Sequence, residues 1–96
     1  MTNRQVMNLN EIKELIKKGE IESSVILLNQ FIQENPACSD EPFYLLGNAY
    51  RKQGNWQLAL NNYLEAIERN PESPAINAKK MLMDILEFYN KDMYNQ

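Results

Sequence analysis

The sequence predicts an all-α fold of five helices, each antiparallel to the one before it, on three observations. The 96-residue chain resembles itself at a shift of 35 positions. Apolar residues recur at the three- and four-residue spacing of amphipathic helices. Glycines and Asn-Pro pairs separate these apolar stretches, as helix ends require. The connections are short, and short connections make successive helices antiparallel neighbours.

The internal repeat is clearest where helices end. Repeats of this length are typical of stacked helical units, in which each unit buries its apolar face against the next. The aligned positions fall at helical spacing and at the breaks between helices, where structure restricts the choice of residue. The aligned pairs are Gly19 with Gly54, Asn35-Pro36 with Asn70-Pro71, Ile32 with Ile67, Leu15 with Tyr50, Ile21 with Trp56, Ser24 with Ala59, Val25 with Leu60 and Leu28 with Tyr63.

The first repeat contains two predicted helices. Asn8 stands three residues before Glu11, the spacing of a capping box, so we expect the first helix to begin there. Gly19 follows two lysines and can close this helix in the left-handed conformation. The second helix is predicted over residues 22 to 34. Pro36 stops it, because the residue before a proline avoids helical geometry.

The second repeat follows the same logic, and a fifth helix comes after it. Asp40 is the predicted N-cap of the third helix, which ends at Gly54. The fourth helix is predicted over residues 56 to 69. Ser73 is expected to cap the fifth helix, which runs to about residue 89.

The second repeat carries a family resemblance. Its alternation of large and small residues resembles the pattern of the tetratricopeptide repeat (TPR), closely between residues 40 and 73. The residues that match are Phe43-Tyr44-Leu45-Leu46-Gly47-Asn48-Ala49-Tyr50, Gly54, Trp56, Ala59, Tyr63, Ala66 and Pro71.

The resemblance implies one domain over residues 1–96, a short right-handed TPR-like superhelix. It consists of a degenerate repeat at about 6–39, a full repeat at about 40–73 and a C-terminal capping helix at about 74–90, before a tail at 91–96. In the degenerate repeat, Ile12 and Phe31 stand where the pattern has small residues. Their bulk should separate the first two helices or change their crossing angle.

The composition narrows the function classes. A net charge of −3 disfavours a nucleic-acid binder, and no apolar run is long enough to cross a membrane. The chain has no histidine and only Cys38 as a thiol, so it lacks the usual general base, a disulfide and a zinc site. We therefore expect no catalysis, no metal, no cofactor and a cytoplasmic location. Cys38 should be a small residue in a connection.

The resemblance implies a concave groove lined by the first helix of each repeat. Seven of the ten basic residues belong to these helices, whereas Glu20, Glu65 and Glu68 belong to the second helices and their flanks. The groove should therefore be more basic than the opposite face and favour acidic segments, unless these cations only complement helix ends. The predicted peptide-binding residues are Lys13, Lys17, Tyr44, Asn48, Arg51, Lys52, Lys79, Met83 and Leu86.

Two alternatives stay open at this point. Some TPR proteins grip a C-terminal carboxylate, and Asn48 matches one asparagine of that clamp. Lys79 stands where the second asparagine would be, so the set is incomplete. Ile76, Met83 and Leu86 form an additional apolar stripe on the fifth helix, which suits a partner surface or a homodimer unless Met93 and Tyr94 fold back over it.

The expected function is a protein-interaction module that binds a peptide segment or partner protein in the groove. A homodimerising assembly module is the structural alternative. A small hydrolase or transferase is the remote one, disfavoured because the chain has neither histidine nor a Gly-rich loop.

Overall fold

Five α-helices form the part of the chain that the computed structural model describes, which is the backbone of residues 8–94 and the side chains of residues 8–88. This part contains no strand. The all-α prediction is confirmed. The helices are α1 (Leu9–Lys17), α2 (Ile21–Glu34), α3 (Glu41–Gln53), α4 (Trp56–Arg69) and α5 (Ala75–Tyr94).

Local signals set most of the helix ends. Asn8 and Glu11 form the predicted capping box, in which each side chain accepts from the other residue's backbone N–H. Gly19 and Gly54 adopt φ values of 87° and 85° after α1 and α3. Only glycine takes this left-handed geometry without strain, so both turns close as predicted.

One side-chain cap and one helix boundary differ from expectation. Asp40 precedes α3, but its carboxylate caps no backbone N–H and accepts instead from Asn70 Nδ2 at 3.3 Å. α5 continues to Tyr94, so Met93 and Tyr94 extend the helix and do not fold back over it. Ser73 is buried and accepts from the Ala75 N–H at 3.0 Å, as a residue that starts α5 should.

The core consists of two apolar clusters that share α3. The first joins α1, α2 and α3, and the second joins α3, α4 and α5. Such pairwise stacking is typical of a helical-repeat array, in which each unit contacts only its neighbours. The buried members are Ile12, Ile16, Leu28, Leu45, Leu46 and Ala49 in the first cluster, and Phe43, Ala59, Tyr63, Ala66, Ala75 and Leu82 in the second.

The contact between α3 and α4 depends on Gly47. A Cβ at this position would overlap ring atoms of Tyr63, which is fully buried. The close approach of α3 and α4 is therefore between Gly47 and Tyr63. Ala59 is fully buried, whereas Trp56 and Tyr50 are only half-buried.

The degenerate repeat packs less extensively. The contact between α1 and α2 is smaller than that between α3 and α4. Ile12 is buried, while Phe31 is half-buried and lines a shallow cleft with Leu9 and Pro36. The bulky Phe31 therefore lies at the edge of the pair formed by α1 and α2. In the standard repeat pattern, the alanine at this position is buried between the two helices.

Arg69 joins the end of α4 to the connection between α2 and α3. Its Nη1 donates to the carbonyls of Pro36 at 3.1 Å and Cys38 at 2.8 Å. Its Nε donates to Glu65 at 2.9 Å, and its guanidinium carbon lies 4.4 Å from the ring centroid of Phe43. A planar guanidinium can make all these contacts at once, and a lysine ammonium cannot. Cys38 lies half-buried in this connection, as predicted.

Candidate functional site

Three of the predicted groove residues meet around the hydroxyl group of Tyr63. Arg51 Nε donates to this oxygen at 3.2 Å, and the hydroxyl donates to Asn48 Oδ1 at 2.6 Å. The ring of Tyr44 lies 6.2 Å from that of Tyr63, centroid to centroid. The structure thus brings together Tyr44, Asn48 and Arg51 of α3 by means of a tyrosine from α4. We call these four residues the polar centre.

Burial changes the acid–base character of Tyr63. Loss of hydration raises the pKa of its hydroxyl above the ordinary value, and the hydrogen bond and positive charge of Arg51 oppose this only in part. The hydroxyl therefore stays protonated at neutral pH. It can keep donating to Asn48.

The basic residues of α1 are already engaged in ion pairs. Lys13 Nζ lies 3.1 Å from Glu41 of α3, and Lys17 Nζ lies 3.4 Å from Glu14 of the same helix. Both pairs are substantially exposed and therefore weak. They still neutralise much of the positive charge that the sequence predicts for this end of the surface.

Two other predicted cations are available. Within residues 8–88, neither the exposed Lys52 nor the half-buried Lys79 has a carboxylate partner. Arg51 keeps both its Nη groups, because only its Nε is used within the molecule. Positive charge is thus concentrated on α3 and the start of α5.

The apolar residues of α5 separate into three groups. Ile76 and Met83 are each 42% exposed. Leu86 is half-buried against the second core cluster and lines an open cleft of about 570 Å³ with Trp56 and Leu60. Leu86 therefore belongs as much to the core as to the predicted groove.

The third group was not predicted. Met81 of α5 is 62% exposed. Phe88 is 64% exposed, seven residues later on the same side of α5. Shifted by 35 positions, Met81 corresponds to Leu46, which is buried in the first core cluster.

The described residues include no cluster of three or more side chains able to hold a metal ion. None of the helices within residues 8–94 combines the length and the apolar character that crossing a membrane requires.

The fold and its repeat define a helical-repeat protein, and the comparisons with known proteins identify the kind. The sequence profile described as Tetratricopeptide repeat matches residues 41–73. The solution NMR structure of Bacteroides fragilis protein BF1650 is 60% identical and superimposes with a TM-score of 0.83, covering 95% of this chain and 92% of that one. No protein of curated function matches significantly. The chain belongs to the tetratricopeptide repeat family.

Family membership supports a general role in protein–protein interaction. The profile match covers the second repeat, where the sequence resembles the family pattern closely. The sequence does not predict the hydrogen bonds of Tyr63. The one available signal was a tyrosine among buried positions, since a buried hydroxyl needs a partner.

Proposed function

We propose that the chain is a non-catalytic interaction module that binds an acidic segment of another protein on the face formed by α1, α3 and α5. We call this the first-helix face, and the polar centre forms its middle. The segment is extended or helical and needs no cofactor. The absence of histidine and the presence of a single cysteine agree with a binding protein of the cytoplasm.

The arrangement of hydrogen-bond donors around Tyr63 carries this proposal. Asn48 and Arg51 are held in place before any ligand arrives, so little side-chain entropy is lost when they bind one. Lys52 and Lys79 add positive charge without internal partners in the described chain. A preorganised, positively charged surface suits an acidic segment.

Apolar contacts would supply most of the affinity. Exposed ion pairs contribute roughly 0–1 kcal/mol each, whereas buried aromatic and aliphatic anchors dominate protein interfaces. Tyr44 is the half-buried aromatic member of the polar centre, and Ile76 and Met83 offer apolar surface on α5. We therefore expect a segment that pairs a carboxylate with a large apolar side chain.

Charge reversal tests the choice of surface. A partner captured from the lysate of the source organism would be titrated against the variant Arg51→Glu/Lys52→Glu. We expect at least about tenfold weaker binding, and a decrease in wild-type affinity as salt rises. The matched control is Lys18→Glu/Lys80→Glu, which changes net charge equally at two exposed residues outside the predicted binding set.

The control separates a local effect from a general one. Equal losses in the two double variants would show that only net charge matters. Binding that ignores Arg51→Glu/Lys52→Glu but is abolished by Glu68→Lys would move the site to the acidic second helices. Either result rejects the first-helix face and leaves the family assignment intact.

A homodimer through α5 is the second candidate, and the exposure of Met81 and Met83 favours it. Terminal helices of repeat arrays normally present a polar outer face. The molecular mass in solution tests this directly. A dimer that Met81→Lys converts to a monomer would support α5 as the interface. A wild-type protein that stays monomeric at a concentration of about 100 µM would reject the homodimer.

A further inference from the structure

The last helix of the array, α5, packs on one neighbour only. α3 contributes to both apolar clusters, whereas α5 packs on α4 and belongs to the second cluster alone. Its contact side contains the fully buried Ala75 and Leu82. Terminal helices of repeat arrays usually need a polar outer face. The rest of α5 does not meet that need, because Ile76, Met81 and Met83 are 42%, 62% and 42% exposed.

These three apolar residues lie on two different sides of α5. Successive residues of a helix are about 100° apart around its axis. Relative to Leu82, which faces α4, Met83 therefore points about 100° to one side and Met81 about 100° to the other. Ile76 lies within about 20° of Met83. One helix of a partner can cover only one of these sides, so a further property must decide which.

Charged residues flank Met83 in a self-complementary order. Lys79 stands four residues before it and Glu87 four residues after it, so the three side chains form one row along the helix. Lys79 is half-buried and Glu87 is exposed, and neither forms an ion pair within residues 8–88. At about 1.5 Å per residue the row is about 12 Å long. It presents a cation, an apolar group and an anion in that order.

This row fits a second copy of itself when the two helices run in opposite directions. If Met83 of one copy lies on Met83 of the other, an antiparallel pair brings Lys79 of each copy to Glu87 of the other copy. A parallel pair in the same register would place lysine beside lysine and glutamate beside glutamate, which repel. Rows of residues spaced by four are also the ridges by which helices most often pack.

We propose that two copies of the chain associate through an antiparallel pair of α5 helices, with Met83 at the two-fold axis and Lys79 paired with Glu87 of the other copy. The proposal rests on the homodimer given above as the second candidate function, and it specifies the side and register of the contact. Ile76 lies on this side and Met81 does not. A single helix pair is smaller than a standard interface of about 800 Å² per partner, so we expect a weak, concentration-dependent dimer.

Charge substitutions test the register by sedimentation equilibrium of the full chain. Lys79→Glu and Glu87→Lys each create like-charge contacts twice per dimer, so each variant alone should dimerise about tenfold more weakly than wild type. An equimolar mixture of the two variants should dimerise more tightly than either alone, because residues 79 and 87 of unlike chains then have opposite charges. The double variant Lys79→Glu/Glu87→Lys exchanges the two charges and should dimerise like wild type.

Matched controls separate the register from net charge and from hydrophobicity. Lys18→Glu and Glu34→Lys make the same charge changes at exposed residues outside α5 and should dimerise like wild type. Met83→Lys places two ammonium groups at the two-fold axis and should weaken the dimer at least about tenfold. Met81→Lys, on the other side of α5, should not. Both methionines are exposed, so neither substitution removes a core contact.

Two kinds of failure can be told apart. A wild-type chain that stays monomeric at about 100 µM rejects the homodimer and this register together. A dimer that Met81→Lys disrupts and Met83→Lys does not, or one whose single and double charge variants all behave alike, overturns the register and leaves the homodimer standing. Neither result concerns the acidic segment, which charge reversal at Arg51 and Lys52 tests separately.

Discussion

At the scale of single residues, replacing Gly47 by alanine has two opposite effects on stability, one through helix propensity and one through core packing. Alanine is favoured over glycine in a helix by about 1 kcal/mol. Against this, an added Cβ would overlap the ring of the fully buried Tyr63, and overpacking of a core costs about 1–3 kcal/mol. The ring is confined on all sides, so we expect the packing cost to dominate.

Gly47→Ala should therefore lower the free energy of unfolding by up to about 2 kcal/mol, the packing cost less the gain in helix propensity. Urea denaturation followed by circular dichroism measures this change. An exposed helical position such as Asn61, replaced by alanine, should change stability little or increase it. A stabilised Gly47→Ala variant would show that Tyr63 can move aside at no cost.

The hydroxyl of Tyr63 should also make stability depend on pH in the alkaline range. Its pKa is raised by burial, with Arg51 opposing and Tyr44 adding slightly to the rise. The folded state therefore holds this proton more tightly than the unfolded state does. The resulting contribution to stability is complete below the ordinary tyrosine pKa of about 10 and is lost as pH rises through the folded-state value.

The difference between wild type and Tyr63→Phe isolates this contribution, because lysines and the other tyrosines titrate in both proteins. The wild-type free energy of unfolding should fall more steeply than that of Tyr63→Phe above about pH 10. Parallel curves from pH 8 to 11 would mean that the hydroxyl titrates alike in both states, contrary to its burial.

At the scale of helices and their connections, Arg69 links parts of the chain that lie far apart in sequence. It bonds two carbonyls in the connection between α2 and α3, stacks on Phe43 of α3 and pairs with Glu65 of α4. Its side chain is 27% exposed, so these bonds are partly shielded from water. One side chain thus fixes the second repeat against the first.

Arg69→Lys should keep the positive charge but lose the planar group that makes the carbonyl, ion-pair and ring contacts at the same time. We expect a loss of about 1–2 kcal/mol in unfolding free energy, since several charge-assisted or stacked contacts cannot all be replaced. Glu65→Gln is the comparison, because it removes only the ion pair and should cost less than about 1 kcal/mol. If the two variants lose equal stability, the carbonyl and ring contacts contribute nothing measurable.

At the scale of the whole molecule, the helix order and most boundaries follow from local sequence. Capping at Asn8 and closure at Gly19 and Gly54 depend on neighbouring residues only, and the 35-residue shift supplies the architecture. The length of α5 is the exception. No strong stop signal follows residue 89, and the polar residues there are compatible with continued helix.

The candidate site is predictable only in part. A helical repeat places Tyr44, Asn48 and Arg51 on α3, and family resemblance selects their face. Their contacts with Tyr63 depend on the angle at which α3 crosses α4. The spacing of apolar residues along the sequence does not predict this angle. The pairing of Lys13 with Glu41 likewise depends on the packing of α1 against α3. Interhelical geometry therefore decides which predicted groups remain available.

The sharing of α3 by both apolar clusters has a kinetic consequence. Any opening that exposes α3 must break both clusters, whereas α1 and the far end of α5 can separate while one cluster stays intact. Native-state hydrogen exchange should therefore be slowest for buried amides of α3, near Leu46 and Ala49, and faster toward both ends of the array. Exchange at one common rate along all five helices would mean that the chain opens only as a single unit.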